Sequence, residues 1–464
     1  MKKILFITYN FPPMSGGGFQ RSLYFAKHLC EHGFEPIIVC GSTSRVHTPN
    51  VNASMASGTS SLKIFRIPPA SSNVLWWKIF NSKIYRLFSF SKYHEWWEKS
   101  AIAICHQVIE SEKINLIYVS CCPFASAYIG RKLSHQYSIP WVLDLRDAWA
   151  LDDLNEYVTY LHYLYERKAM RKCCNSASAV IMNTPTSHEI LLKSFPEMRT
   201  KQTFCITNGF EDETIGSKSY NEGSPKTGKP LNLVYSGDFL TDLAFETDAQ
   251  SRKQLGFVKV GIRFFLKTLL LFRPGKPDLI CRSPYYLFKA LRLLLDENVI
   301  TAKDIHFTYI GRVSEIEQKL LHDFSLEAIV SFLGYLQFNE AQKLLMQADV
   351  SLLFQHKSRI NLKVMTIPGK IYDLMAMEKP ILSLVPKGDA NEIISHSGLG
   401  FICDPDDVMG LKTVIIKLIT LHKTGGIIVT PERNYIRSFS RKAQTTLLSK
   451  VFDKVLSASQ NSTK

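Results

Sequence analysis

The chain has 464 residues, more than one ordinary hydrophobic core can organise, so two domains of roughly 200 residues each are the first expectation. Hydrophobic residues make up 45% and charged residues 21%, which excludes a disordered or fibrous protein. The 56 Lys and Arg against 41 Asp and Glu give a net charge of +15, which favours an anionic partner such as nucleic acid, phospholipid headgroups or a phosphorylated substrate.

Targeting and membrane-spanning segments are not expected. The apolar run at residues 4–7 is too short for a signal peptide, and the apolar stretch at 264–272 is interrupted by Lys267 and too short to cross a bilayer. The ten cysteines fit neither a disulfide framework nor a zinc site. We therefore expect a cytoplasmic protein, in peripheral contact with the inner face of an anionic membrane.

Short apolar runs alternate with helical patterns in the first half of the chain. Strands are predicted at 4–8, 35–40, 115–120, 141–145 and 179–183, with a first helix at about 20–33. Near-continuous apolar strands separated by helices indicate a parallel sheet that is covered on both faces. Residues 1–215 are therefore predicted to form a doubly wound α/β domain.

The second half repeats this class after a linker. Residues 211–230 are rich in Gly, Ser, Lys, Asn and Pro, and strands are predicted at 231–236, 305–310, 329–333, 350–354, 380–385 and 400–403. A second α/β domain at 231–425 follows, with an insertion at 239–282 and a C-terminal helical segment at 426–464.

Two loops follow predicted strands at the edge where α/β proteins bind ligands. The loop at 10–18 ends in Gly16, Gly17 and Gly18, which permit backbone N–H groups to approach an anion, or form a turn. Arg21 stands where a dinucleotide fingerprint would need a third glycine. The loop at 144–149 carries charged side chains that either contact a ligand or form a salt-bridged helix cap.

Four segments occur in the order seen in retaining GT-B glycosyltransferases: Asn-Phe-Pro-Pro with its glycines, Asp-Leu-Arg-Asp-Ala-Trp at 144–149, Asn-Gly-Phe at 208–210, and the stretch at 367–382. The chain resembles glycosyltransferase family 4, particularly its bacterial surface-polysaccharide members, over about residues 1–210 and 231–410. The resemblance implies an α/β GT-B fold of two Rossmann-like doubly wound domains facing a cleft.

The resemblance also implies site residues. The three glycines of the first loop would approach the donor diphosphate, and Asp373 takes the place of the family's ribose-binding Glu, while Met365 stands where the partner Glu is expected. Gly237 is not followed by the usual phosphate-clamping Arg, so Lys370 or Arg312 would supply the positive charge. The alternative for Lys370 is a solvated lysine at a helix start.

We assign Asp144, Arg146 and Asp147 to catalysis, where they orient the acceptor or support loops that do so. No metal site is expected, because the acidic run at 404–407 follows a strand and reads as a helix cap. The aromatic and basic segment at 73–97 either lies in a headgroup layer or is an ordinary core helix.

The predicted function is transfer of a sugar from a nucleotide diphosphate sugar to a glycan or lipid-linked acceptor, with retention of anomeric configuration, in cell-surface polysaccharide biosynthesis. We expect neither a cofactor nor a nucleic-acid partner. Two alternatives remain: a nucleotide-sugar epimerase or hydrolase of the same fold, and a basic nucleic-acid-binding protein, for which no recognition motif is present.

Overall fold

A computed structural model describes residues 1–14, 18–42, 62–67, 95–152, 154–212, 228–245, 277–358 and 363–461. These residues divide into two compact units. The first unit contains the described residues of Met1–Gly209 and Phe439–Lys464, and the second contains most of those between Phe210 and Ser438.

A seven-stranded parallel sheet forms the centre of the first unit. Its strands are β1 (Lys2–Thr8), β2 (Phe34–Gly41), β3 (Lys63–Ile67), β4 (Ile114–Cys121), β5 (Trp141–Leu145), β6 (Ala179–Met182) and β7 (Thr203–Cys205), in the order β3-β2-β1-β4-β5-β6-β7. The predicted strands of this half are thereby confirmed. The order reverses between β1 and β4, which is the switch point of a doubly wound sheet.

In the described part of the first unit the sheet is accompanied by the helices α1 (Gln20–His28), α2 (Glu95–Ser111), α3 (Ala125–Tyr137), α4 (Tyr160–Ser176), α5 (Pro185–Ser194) and the C-terminal helix Arg441–Asn461. The C-terminal helix packs into the first unit, where the Phe452 ring lies 5.4 Å from Phe34 and 5.5 Å from Tyr118. Within the segment predicted at 426–464, this helix belongs to the first unit, where buried aromatic contacts tie it to the amino-terminal sheet.

The second unit is built on a six-stranded parallel sheet. Its strands are β8 (Leu231–Ser236), β10 (Ile305–Ile310), β11 (Val330–Phe332), β12 (Val350–Phe354), β14 (Ile381–Leu384) and β15 (Gly400–Cys403), in the order β11-β10-β8-β12-β14-β15. A short antiparallel pair joins β9 (Pro277–Asp278) to β13 (Lys357–Ser358). The switch point of this sheet lies between β8 and β12.

The helices with both ends described in the second unit are α6 (Tyr285–Asp296), α7 (Glu315–Asp323), α8 (Phe338–Gln347), α9 (Lys370–Ala376), α10 (Asp389–Ser397), α11 (Val408–Thr424) and α12 (Arg433–Arg437). The C-terminal helix of the chain is accordingly numbered α13. These helices pack on the sheet through a core that includes Phe288, Phe307 and Ile415, all without exposed surface. The strand predictions for this half are confirmed as well.

The ends of the predicted insertion at 239–282 belong to the second core. Phe239 stacks on Tyr235 with ring centroids 4.4 Å apart, and Leu279 and Cys281 are buried. The central part of the insertion lies outside the described residues. Within the described part of the chain no helix is long and apolar enough to cross a membrane, and all ten cysteines are free thiols.

Candidate functional site

The candidate site of the second unit begins at Gly237, the residue that follows β8. Its N–H donates to the Ile310 carbonyl at 2.8 Å, which holds the loop against β10. The backbone has φ +143°, and a Cβ at this position would lie 1.1 Å from the Lys370 Nζ. Gly237 is therefore required both by its backbone conformation and by the close approach of Lys370.

Lys370 is the first residue of α9 and reaches across the end of β8. Its Nζ donates to the Ser236 carbonyl and lies 5.2 Å from the centre of the Tyr235 ring. The side chain keeps solvent contact, but the protein atoms around the ammonium group, and then the charge of Arg282, lower the pKa of Lys370 to about 8. An anion at this point would relieve that unfavourable environment.

Arg282 is a site cation that the sequence analysis missed. It ends the turn Leu279–Arg282, where its carbonyl accepts from the Leu240 N–H at 3.1 Å. Its charge acts on Lys370 and also on His356, whose pKa burial and Arg282 lower to about 4. Among the described residues no carboxylate pairs with Arg282. Only the fold could reveal it, because it lies 88 positions from Lys370 at the end of the predicted insertion.

These groups gather where doubly wound sheets bind ligands. Gly237 follows β8, and His356 follows β12 by two residues, so both lie at the carboxyl ends of the two strands that flank the switch point. His356 is 1% exposed, and its Nε2 has no hydrogen-bond partner within the described ranges. The site thus combines two cations, a half-buried glycine and one neutral imidazole.

The other residues predicted for the donor side differ in how closely they are associated with Lys370. Asp373, half-buried on the first turn of α9, is close enough to oppose the lowering of the Lys370 pKa. Arg312 follows β10, and its N–H donates to the Asp238 carboxylate at 3.1 Å, but its side chain is 74% exposed. Met365 is buried, so the structure offers no carboxylate at that position.

The acidic run at 404–407 is engaged in ion pairing and capping. The Lys357 Nζ lies 2.7 Å from both the Asp404 and the Asp406 carboxylates. Asp407 caps α11, because its side chain accepts from the Gly410 N–H at 2.9 Å. The capping role thus falls to Asp407, while Asp406 pairs with Lys357. In the described part of the chain no cluster of His, Cys, Asp and Glu is arranged to hold a metal ion.

In the first unit, Asp144 at the end of β5 has no exposed surface. Its carboxylate accepts from Arg21 at 2.8 Å and 3.0 Å and from the Tyr118 hydroxyl. Arg21 also donates to the Thr207 carbonyl at 2.8 Å, which ties α1 to the chain after β7. Of the two roles expected for Asp144, the structure favours the supporting one, because no face of the carboxylate is open to a ligand.

Arg146 and Asp147 remain accessible beside the glycine loop. The Arg146 Nη1 donates to the Gly18 carbonyl at 2.5 Å, and its Nη2 lies 3.5 Å from the Asp147 carboxylate. Their side chains are 18% and 42% exposed. Gly16 and Gly17 lie outside the described residues. Of the two loops at this sheet edge, Arg146 of one thus contacts Gly18 of the other.

Most of the aromatic segment at 73–97 lies outside the described residues. Trp97 is described and is fully buried, and its Nε1 donates to the Ser126 hydroxyl at 3.1 Å. Trp97 is thus a core residue, so at this position the core alternative holds and the headgroup alternative does not.

Comparison with solved structures places the fold among the two-domain GT-B glycosyltransferases, within which each sheet is Rossmann-like. A glycosyltransferase from Rickettsia africae superimposes with a TM-score of 0.56 at 13% identity, covering 98% of both chains. Anabaena HepE, in complex with UDP and glucose, gives 0.55 at 16% identity, covering 98% of this chain and 100% of that one. Sucrose-phosphate synthase from Thermosynechococcus elongatus gives 0.57 at 12% identity, covering 99% and 100%.

Sequence comparison matches part of the second unit to a known family. Residues 277–421 match the family model described as Glycosyl transferases group 1. A segment of 143 residues is 29% identical to the Probable glycosyltransferase WbjE of Pseudomonas aeruginosa. That segment is 28% of this chain and spans about a third (34%) of the length of that curated relative. Lys370 and Asp373 lie inside the family-matched region.

Proposed function

We propose that the protein is a glycosyltransferase that transfers a sugar from a nucleotide diphosphate sugar to a glycan or lipid-linked acceptor in cell-surface polysaccharide biosynthesis. The group 1 match at 277–421 and the similarity to WbjE support the transferase class. The similarity in fold to HepE, which was crystallised with UDP and glucose, supports a nucleotide-sugar donor.

The observation that carries this proposal is the arrangement of Lys370 and Arg282 around the glycine that ends β8. Two cations beside the glycine that follows β8 suit a diphosphate, because phosphate oxygens accept strong hydrogen bonds from charged donors. The lowered pKa of Lys370 fits the same ligand, since a bound diphosphate favours the charged ammonium. Asp373 is proposed to accept hydrogen bonds from the ribose.

In the proposed reaction, the enzyme stabilises negative charge as the diphosphate leaves the sugar. Lys370 and Arg282 are already positioned before that charge develops, so little reorganisation opposes the reaction. We propose that no metal ion or cofactor takes part, and that the configuration at the anomeric carbon is retained. Activity that survives EDTA would agree with the first point, and NMR of the product anomer would decide the second.

On the acceptor side we propose that Arg146 and Asp147 hold the acceptor. Asp144 acts as a positioning residue, because it fixes β5 through its ion pair with Arg21. The epimerase or hydrolase alternative differs in one measurable respect. A transferase consumes the donor with formation of a glycosylated acceptor, whereas those enzymes act on the donor alone.

A calorimetric screen of the full chain against nucleotide diphosphate sugars tests the proposal. We expect one base to bind selectively, and Arg282→Gln to weaken that binding roughly tenfold or more, as expected for loss of a charge-assisted hydrogen bond. Arg292→Gln is the matched control, because Arg292 pairs with Asp296 on the surface of α6. Equal binding by all three proteins, or binding of none of the nucleotides, would contradict the proposed donor site.

A further inference from the structure

The outward side of α4 is unusual in composition. Its exposed residues in the first two turns are all apolar or aromatic, and those further along are basic except for Ser176 at the end of the helix. They are Tyr160 (52% exposed), Leu161 (63%), Leu164 (41%) and Tyr165 (42%), followed by Lys168, Arg171 and Lys172. The spacing i, i+1, i+4, i+5, i+8 places them on one face of the helix. We call this set the α4 outer face.

The core does not account for the apolar half of this face. The helix is anchored by its opposite side, where His162, Met170, Cys173 and Cys174 are buried. On the outer side, Leu161 and Leu164 keep 63% and 41% of their surface exposed, because the buried anchor of the helix lies on the other side. A contiguous exposed apolar patch is a common mark of an interaction surface.

The charge of the face indicates the chemistry of the partner. The acidic residue of these turns, Glu166, is turned inward and accepts from the Trp149 Nε1 at 2.7 Å. Arg171 pairs with Glu197, whereas Lys168 and Lys172 have no ion pair among the residues that the structure describes. An anionic partner is favoured, since two uncompensated ammonium groups follow directly after the apolar turns.

We propose that the α4 outer face binds an anionic lipid surface, with its leucines and tyrosines at the boundary of headgroups and acyl chains and its lysines among the phosphates. Tyrosine suits this boundary because one end of the ring is apolar and the other polar. The apolar part covers only six residues, about 9 Å of helix. That is small for a stable protein interface of roughly 1,200 Å² or more, but sufficient for interfacial insertion assisted by charge.

The position of α4 gives this surface a consequence for the acceptor. Trp149, which donates to Glu166 of α4, follows the charged loop at 144–147 by two residues, and its ring stacks on Phe124 with centroids 5.1 Å apart. A membrane bound to α4 therefore lies next to the loop proposed to hold the acceptor. This assignment rests on the proposed function and makes it more specific: the acceptor is a lipid-linked glycan rather than a free one.

Co-sedimentation of the full chain with vesicles tests the surface. Vesicles of equal parts phosphatidylglycerol and phosphatidylcholine should bind the protein more tightly than phosphatidylcholine alone. Leu161→Gln with Leu164→Gln should weaken that binding roughly tenfold at any salt concentration, because the apolar contribution is not screened. Lys168→Gln with Lys172→Gln should weaken it roughly fivefold per lysine at low salt and less at high salt.

The matched control carries Met409→Gln and Ile416→Gln, two exposed apolar residues on the outer side of α11. This variant should bind vesicles as the wild type does, and thermal unfolding should show that all variants are folded. Undiminished vesicle binding by the α4 leucine variant would overturn the proposal. The proposal would also be overturned if the wild type formed a dimer that the leucine variant cannot form, while both bound vesicles equally. The α4 outer face would then be a contact between copies of the chain.

The same samples separate this proposal from the proposed function. Nucleotide binding by calorimetry should be equal in the wild type and in the α4 variants, because the donor residues lie in the other unit. Vesicle binding without any nucleotide binding would remove the transferase proposal and leave the lipid surface standing. Nucleotide binding without a preference for anionic vesicles would remove the lipid surface and leave the transferase proposal standing.

Discussion

Replacing Gly237 by Ala tests the donor site most directly. The added methyl group would occupy the position of the Lys370 ammonium, since the Cβ would lie 1.1 Å from Nζ and 2.5 Å from Cε. The lysine side chain can swing away, but its amine then leaves the end of β8. Losing one charge-assisted hydrogen bond to the diphosphate costs about 1.5–3 kcal/mol, which corresponds to a roughly tenfold to hundredfold weaker Kd.

The backbone adds a second effect that appears in stability. Gly237 has φ +143°, a conformation that costs a residue with a side chain about 1–3 kcal/mol. Calorimetry with a nucleoside diphosphate measures the first effect, and denaturant unfolding measures the second. Gly369→Ala is the matched control, because a Cβ there meets no atom within 4 Å and its φ of −56° suits alanine. If Gly237→Ala binds the nucleotide as tightly as Gly369→Ala does, the assignment of the diphosphate to this strand end is refuted.

Three further predictions concern single side chains. Because Lys370 has a pKa of about 8 and a bound diphosphate raises it, nucleotide affinity should fall as the pH rises through 8, and calorimetry of Lys370→Met should show no such fall. Asp373→Ala should weaken nucleotide binding by about 1.5–3 kcal/mol. Asp406→Ala should leave nucleotide binding unchanged, because it releases only a partly exposed ion pair. Equal losses of nucleotide affinity in the two variants would count against the ribose contact. Asp144→Asn should lower the free energy of unfolding by about 3–5 kcal/mol, because it breaks a buried ion pair. Arg146→Gln should lower transferase activity with little change in the free energy of unfolding. If Arg146→Gln were the destabilising variant and Asp144→Asn the inactive but stable one, the two roles would be exchanged.

Local patterns in the sequence predict the sheets well. Near-continuous apolar runs such as those of β4 and β12 become strands buried along most of their length, because a parallel strand covered on both faces must be apolar on both. The alternation of such runs with helices also predicts the doubly wound class. Neither inference needs any knowledge of distant contacts.

The candidate site could be predicted only in part. Gly237 and Lys370 were identified from a family resemblance, and the structure brings them into contact. Arg282 was missed, because it lies in a stretch whose composition suggests an insertion. The Asp144 partner was also missed, since Arg21 attracts attention only as the residue that breaks a dinucleotide fingerprint, 123 positions away from the carboxylate that it binds.

The sequence by itself therefore determines most strands of the two parallel sheets, the α/β class and the glycines at the strand ends, all of which depend on residues close together in the chain. Tertiary structure alone decides that the helix Arg441–Asn461 packs on the amino-terminal sheet and that Asp144 is buried against Arg21. It also decides that Lys357 occupies the acidic run at 404–407 and that the apolar turns of α4 face outward. The physical reason is that ion pairing and burial depend on which segments, distant in the chain, pack together. A local pattern of hydrophobicity and charge is compatible with many different tertiary contacts.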